Sequence, residues 1–186
     1  MENIFIPADS QKRLIVLSRQ TLESFVLGTK ILKEDVSDSY LTTTDYGAFV
    51  SLHRGEELRG CIGTCFPLQP LYETVIEMTE AAASRDQRVL PIREDELSDI
   101  HIDISVLSPL ELVASPLSLK VGTHGLHISR REKRGVLLPQ VAAEYGWDIK
   151  IFLSQTCVKA GLAKEAWKWP GTQVSSFTAL VIEEQK

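Results

Sequence analysis

At 186 residues, with 44% apolar and 24% charged residues, the chain is long enough to bury a substantial core as one soluble domain. Its net charge of −5 supplies no global basic field for nucleic acid or an anionic membrane, and no apolar run approaches the roughly 20 residues that cross a bilayer. Three cysteines without a paired framework, and a Met1–Ile6 segment lacking the basic flank and apolar stretch of a signal peptide, predict a reducing, cytoplasmic setting.

Asp9 or Ser10 is placed to cap a first helix running to about Leu27 and stopping at Gly28, with Leu14, Leu17, Thr21, Leu22 and Phe25 as its apolar stripe. Tyr40–Tyr46 is polar and reads as loop. Ala48–His53 reads as a strand, Arg54–Glu57 as a turn, and Leu58–Thr64 as the returning arm of a hairpin. Pro67 ends that arm, and Pro70 suits the first turn of a helix. On that helix Leu71, Val75, Met78 and Ala82 line one face, while Glu73, Glu77 and Glu80 form a solvated face. Ser84–Pro91 is a charged connector. Ile102, Ile104 and Val106 alternate with Asp103 and Ser105, the pattern of a half-buried strand.

Pro109 and Pro116 bracket a short extended piece. Leu117–Val121, Gly125–Ile128 and Val136–Leu138 read as short strands, the last two joined by the basic turn Arg130–Gly135. Asp148 caps a helix with Ile149, Phe152, Leu153, Thr156 and Ala160 as its core stripe, and Val174–Ile182 is a final strand. Helices and strands mix without regular β-α-β alternation, which predicts an α+β fold.

The chemistry-bearing segment is Leu58-Arg59-Gly60-Cys61-Ile62-Gly63, a thiol two residues from a guanidinium and between two glycines. In a regular strand Arg59, Cys61 and Gly63 project from one face. A fixed cation lowers a thiol's pKa, and glycines admit another backbone or a small ligand. The competing reading makes Cys61 a small buried hydrophobe and Arg59 an ion-pair partner. A Cys61–Cys65 disulfide is disfavoured, since four strand steps separate the Cα atoms by about 13 Å and a bridge needs less than ~7 Å. His101, His124 and His127 share a stretch, but no Cys-x-x-Cys or His-Glu-x-x-His accompanies them, so no metal is expected. Phosphate-binding glycine loops and a Gly-x-Ser-x-Gly elbow are absent from the sequence. Cys157 reads as packing, and Lys159 sits at the edge of its helix's buried face, where a lysine snorkels or faces a cleft. Pro139-Gln140 and Trp147 supply an amide and an aromatic near it in sequence.

Leu58–Thr64 resembles the signature of the AMMECR family, whose prokaryotic members form the A component of the AmmeMemoRadiSam system. Arg85-Asp86-Gln87-Arg88 with Pro91 is similar to that family's Asp-Pro-Arg-Phe segment, although Gln87 and Val89 stand where proline and phenylalanine are usual. Ile104–Pro109, Gly122–Gly125, Gly135–Ala142 and Cys157–Leu162 extend the resemblance over nearly the whole chain; Cys65 is not part of the signature. The resemblance implies an α+β fold: a mixed or antiparallel sheet with flanking helices, a smaller α/β subdomain, and the signature near a groove between them. The matching subdomain bounds are 1–115 with 165–186 for the larger part and 116–164 for the smaller.

The resemblance assigns no reaction and no cofactor. It implies a cytoplasmic protein working with a Memo-like protein and a radical S-adenosylmethionine enzyme. The expected site has Cys61 as reactive thiolate and Arg59 as its activating cation, with Gly60 and Gly63 giving close access. Asp86, Arg88, His124, Gln140 and Lys159 would orient a polar small-molecule substrate. The alternative is a non-catalytic binding or scaffold subunit in which Arg59-Gly60-Cys61 is structural. Nucleic-acid handling through Arg130–Arg134 is opposed by the acidic net charge.

Overall fold

Two hydrophobic clusters organise the chain, and each has its own sheet. A computed structural model describes residues 4–29 and 36–185, so the reading of Met1–Ile6 falls partly outside the described residues. In chain order the elements are α1 (Ala8–Val26), α2 (Ser39–Thr42), β1 (Gly47–Arg54), β2 (Glu57–Thr64), α3 (Leu71–Ser84), β3 (Ile100–Leu107), β4 (Glu111–Leu112), β5 (Gly125–Arg130), β6 (Lys133–Leu137), α4 (Pro139–Glu144), α5 (Ile149–Lys159), β7 (Gln173–Phe177) and β8 (Ala179–Glu183). Short 3-10 turns fall at Glu94–Asp99, Pro116–Ser118 and Ala166–Lys168. The α+β class follows directly, with two antiparallel sheets and flanking helices. The chain divides into one unit of Ile4–Leu107 with the chain from Leu180, and a second of Ser108–Ala179.

In the first unit the strand order is β2-β1-β3-β8. β1 pairs antiparallel with both β2 and β3, so it is central and β2 is an edge. Ala48, Val50 and Leu52 of β1 and Ile102, Ile104 and Val106 of β3 are fully buried with Leu14, Leu22 and Val75 from the helices. The period-2 alternation therefore turns Ser51, His53, His101 and Asp103 to the other face. Ser105, on that polar face, is buried as well, so the alternation predicted for β3 holds in chemistry more than in exposure.

In the second unit the order is β4-β7-β5-β6, with antiparallel pairing throughout. α5 packs Phe152, Leu153 and Cys157 into its core with Leu126 and Ile128. Asp148 caps α5 as expected, its Oδ1 accepting from the Ile151 N–H at 2.8 Å.

Several elements differ from the sequence reading. α1 begins after Pro7 with no side-chain cap, so Asp9 lies inside its first turn. Pro70 is the extended residue before α3 rather than part of its first turn. Ser39–Thr42 is a short helix, started by Asp38 accepting from the Tyr40 N–H, where a loop was expected. Leu117–Val121 forms no strand; Pro116 starts a 3-10 turn instead. The expected strand Val174–Ile182 is two, β7 and β8, belonging to different sheets. The break is at Thr178, whose N–H donates to Ser108 Oγ (3.0 Å) and whose carbonyl accepts from the Ser108 N–H (3.0 Å).

Candidate functional site

The β1–β2 hairpin places Cys61. Its partners run in register Ser51↔Cys61 and Phe49↔Gly63, so Cys61 and Gly63 share a face as alternation predicts. Arg59 leaves that alternation. The register shifts at Leu52/His53, with Leu52 opposite Gly60 and His53 opposite Leu58, so Arg59 is the extra residue of a β-bulge.

The bulge sends Arg59 to Glu96. Nε and Nη2 of Arg59 donate to the two Glu96 oxygens at 2.9 and 3.1 Å, and both side chains are buried. Glu96 also accepts from the Arg93 N–H at 3.1 Å. The Arg59 bonds hold the Glu96 carboxyl below its ordinary range, and Glu96 in turn raises the Arg59 pKa. This guanidinium is engaged in a packed ion pair.

The two glycines are sites of close approach. A Cβ on Gly60 would lie 2.1 Å from the Ala82 carbonyl oxygen of α3, and one on Gly63 would lie 2.2 Å from the Phe49 ring. Helix backbone and an aromatic ring thus fill the space the missing side chains leave.

Cys61 itself is half-buried, whereas Cys65 and Cys157 are buried; all three are free thiols. Burial pushes the Cys65 thiol up to about 12 and also raises the Cys157 thiol. The Ser51 hydroxyl donates to Cys61 Sγ at 3.2 Å. The loop after α3 reaches the same residue. Asp86 Oδ2 accepts from the Cys61 N–H at 2.9 Å, and Arg88 Nη2 donates to the Cys61 carbonyl at 3.2 Å. Arg88 and Asp86 bind each other bidentately, Nε to Oδ1 at 2.9 Å and Nη2 to Oδ2 at 2.6 Å. The Arg88 guanidinium beside it holds the Asp86 carboxyl well below the usual carboxylate range. The Asp86 hydrogen bonds raise the Arg88 pKa. The cation at Cys61 is therefore Arg88.

Sequence reasoning missed the rest of this face. Ser51 lies opposite Cys61 on one side and opposite Asp103 on the other, which makes a row across three strands. Two residues along, His53 and His101 face each other across β1 and β3. Both imidazoles turn to the Asp103 carboxylate, His53 Nε2 at 3.5 Å from Oδ2 and His101 Nε2 at 3.2 Å from Oδ1. Asp103 Oδ1 is buried without an aligned hydrogen-bond donor, so the His101 contact is an ion-pair distance rather than a hydrogen bond. Burial raises the Asp103 pKa, against the pull of His53 and His101, and Glu183 adds to the rise. At the same end of the sheet an open depression of about 680 Å³ is lined by Arg19, Arg54, Asp99, His101 and Glu184. Its guanidinia are already paired, Arg19 with Glu184 and Arg54 with Asp99. Among the described residues, no cluster of His, Cys, Asp and Glu has the arrangement of a metal site, and no helix is long and apolar enough to cross a membrane.

The remaining predicted residues belong to the second unit. His124 Nδ1 accepts from the Lys120 N–H at 2.9 Å, Gln140 lies in the first turn of α4, and Lys159 is exposed at the end of α5.

Fold and site together define an α+β protein of two antiparallel sheets with a half-exposed cysteine on an edge strand. The chain belongs to the AMMECR1 family, whose model matches residues 15–182. It is 39% identical over 184 residues to a protein of Methanothermobacter thermautotrophicus, covering 95% of each chain. It is 38% identical over 182 residues to protein TK0174 of Thermococcus kodakarensis, covering 92% of this chain and 89% of the relative. The crystal structure of the uncharacterized protein PH0010 from Pyrococcus horikoshii superposes with a TM-score of 0.90 at 34% identity, covering 97% of this chain and 94% of that one.

Proposed function

We propose that this chain is a cysteine-dependent protein that handles a polar small molecule, with Cys61 as its reactive thiol. The observation that carries the reading is the difference among the three cysteines. Cys61 alone is partly exposed, receives a hydroxyl donor from Ser51, and has the Arg88 guanidinium on its own backbone carbonyl. A donor and a cation favour a thiolate over a thiol. The partners would be a Memo-like protein and a radical S-adenosylmethionine enzyme, with the protein in the cytoplasm, as the family resemblance implies.

The test is alkylation of the native protein with iodoacetamide at neutral pH, followed by peptide mapping. Cys61 is expected to react faster than N-acetylcysteine while Cys65 and Cys157 stay unmodified. A Cys61 that reacts no faster than the free thiol overturns the reading.

The packing roles of Arg59, Gly60 and Gly63 favour a second reading, a non-catalytic binding or scaffold subunit. An inert Cys61, with stable co-purification of either partner, would support that one.

A further inference from the structure

We infer that His53 and Asp103 complete a thiol–imidazole–carboxylate unit with Cys61, and that its substrates are acyl compounds such as esters or thioesters. This rests on the proposed reactivity of Cys61 and adds the proton-transfer groups.

The sheet register carries the inference. Cys61 on β2 and Asp103 on β3 both lie opposite Ser51 of β1, and His53 stands two residues along β1 on the same face. Cys61 is directly opposite Ser51, so His53, two residues along β1, is its diagonal neighbour on the same face. Diagonal pairs lie roughly 7–8 Å apart at Cα, within reach of a long side chain. Asp103 Oδ2 faces His53 Nε2, which leaves Nδ1 as the nitrogen able to accept a proton. A thiol, an imidazole able to reach it and a carboxylate beside that imidazole are the three groups of nucleophilic acyl transfer, whose hydrogen bonds tighten when substrate is bound.

The carboxylates of Asp86, Glu96 and Asp103 also differ in saturation. Asp86 and Glu96 are each held by several hydrogen bonds. Asp103 has a buried oxygen with no aligned donor, two imidazoles beside it, and Glu183 from β8 as a charged neighbour. An orienting carboxylate hydrogen-bonds its imidazole, and Asp103 Oδ1, unlike the oxygens of Asp86 and Glu96, carries no competing hydrogen bond among the described residues.

In the step this assigns, Cys61 gives its proton to His53 Nδ1 and the thiolate sulfur bonds to the acyl carbon. The bond to the leaving group breaks, and that group takes the proton from His53. Water then cleaves the thioester, giving the carboxylic acid and the Cys61 thiol. His53 is the catalytic base and acid; Asp103 is a positioning residue.

The probe is p-nitrophenyl acetate. Wild-type protein should release a burst of p-nitrophenolate stoichiometric with protein and carry an acetyl group on Cys61 as its thioester. His53→Gln should slow the burst on the order of 100-fold, the usual worth of a general base. His53→Ala should be slow likewise and recover with added imidazole, a readout that a merely structural histidine would not give. Asp103→Asn should slow the burst and change its pH profile, without rescue by imidazole, and it decides the matter if the His53 variants do not fold. A wild-type Cys61 that alkylates rapidly, with acylation indifferent to His53 and Asp103, overturns this inference and leaves the reactive thiol standing. An inert wild-type Cys61 overturns both.

Discussion

Arg59 and Glu96 meet where β2 is bulged, while Arg88 and Asp86 meet along its free edge, two residues further on. The first pair is buried on both sides. The second has a buried carboxylate and a guanidinium with 56% of its side chain exposed. Both are bidentate, yet they serve different ends. The Arg59 charge is spent on holding the 3-10 turn Glu94–Asp99 against the strand. The Arg88 charge stays at the surface, beside the only half-exposed thiol. A cation's proximity in sequence to a cysteine says little about which of them it serves; burial and the partner carboxylate decide.

The largest expected effect comes from breaking the buried pair. Glu96→Ala leaves Arg59 buried without a counter-charge, and such losses cost about 3–5 kcal/mol. Urea unfolding should show it, with Cys61 alkylation in the folded fraction unchanged. Next is Gly60→Ala, whose Cβ would meet the Ala82 carbonyl at 2.1 Å and force β2 off α3, at about 1–3 kcal/mol. Urea unfolding reports that too.

The acid side of the stability curve separates the pairs further. Asp86 and Glu96 both have folded pKa values below their unfolded ones. At these two groups the folded chain binds fewer protons than the unfolded chain, and their stabilisation is present above pH about 4.5 and lost as pH falls below it. Asp86→Asn should be less stable at neutral pH by about 1–3 kcal/mol and have a flatter acid limb, while keeping the Glu96 contribution. Arg88→Ala should cost less than Glu96→Ala, about 1–3 kcal/mol, because the Asp86 carboxylate it leaves buried keeps its bonds from the backbone N–H groups of residues 61 and 88. Its thiol should nevertheless alkylate more slowly at neutral pH. Equal alkylation in Arg88→Ala and the parent would erase the distinction between the two arginines.

The hairpin, α3, α5 with its Asp148 cap, and the alternation of β3 were legible because each is written locally, in turn residues and in periods of 2 or 3.6. The sequence named Cys61, Asp86 and Arg88, which the structure brings together, but not the contacts that join them. A regular strand would set Arg59 beside it, and one bulge residue removed that geometry. Gly60 following Arg59 is the signal that could have warned of a bulge. Arg88 was named, but not as the cation at the thiol, because that contact joins residues 27 positions apart. His53 and Asp103 meet across a strand pairing that spans 50 positions, and no local pattern encodes it. Once β1 and β3 are paired antiparallel, alternation alone sets Ser51, His53, His101 and Asp103 on one face. The split of Val174–Ile182 was hidden for a similar reason: Thr178 breaks the strand by bonding Ser108, 70 residues earlier.

The Asp86–Arg88 contact has a consequence for self-association. β2 is an outer strand, and an outer strand with free amides and carbonyls is a template for another chain's backbone. At Cys61 the carboxylate takes the place of a neighbour's carbonyl, and the guanidinium that of its amide. The loop thus acts as a chain terminator for the sheet, closing its edge at the residue where a stray strand would otherwise cover the thiol.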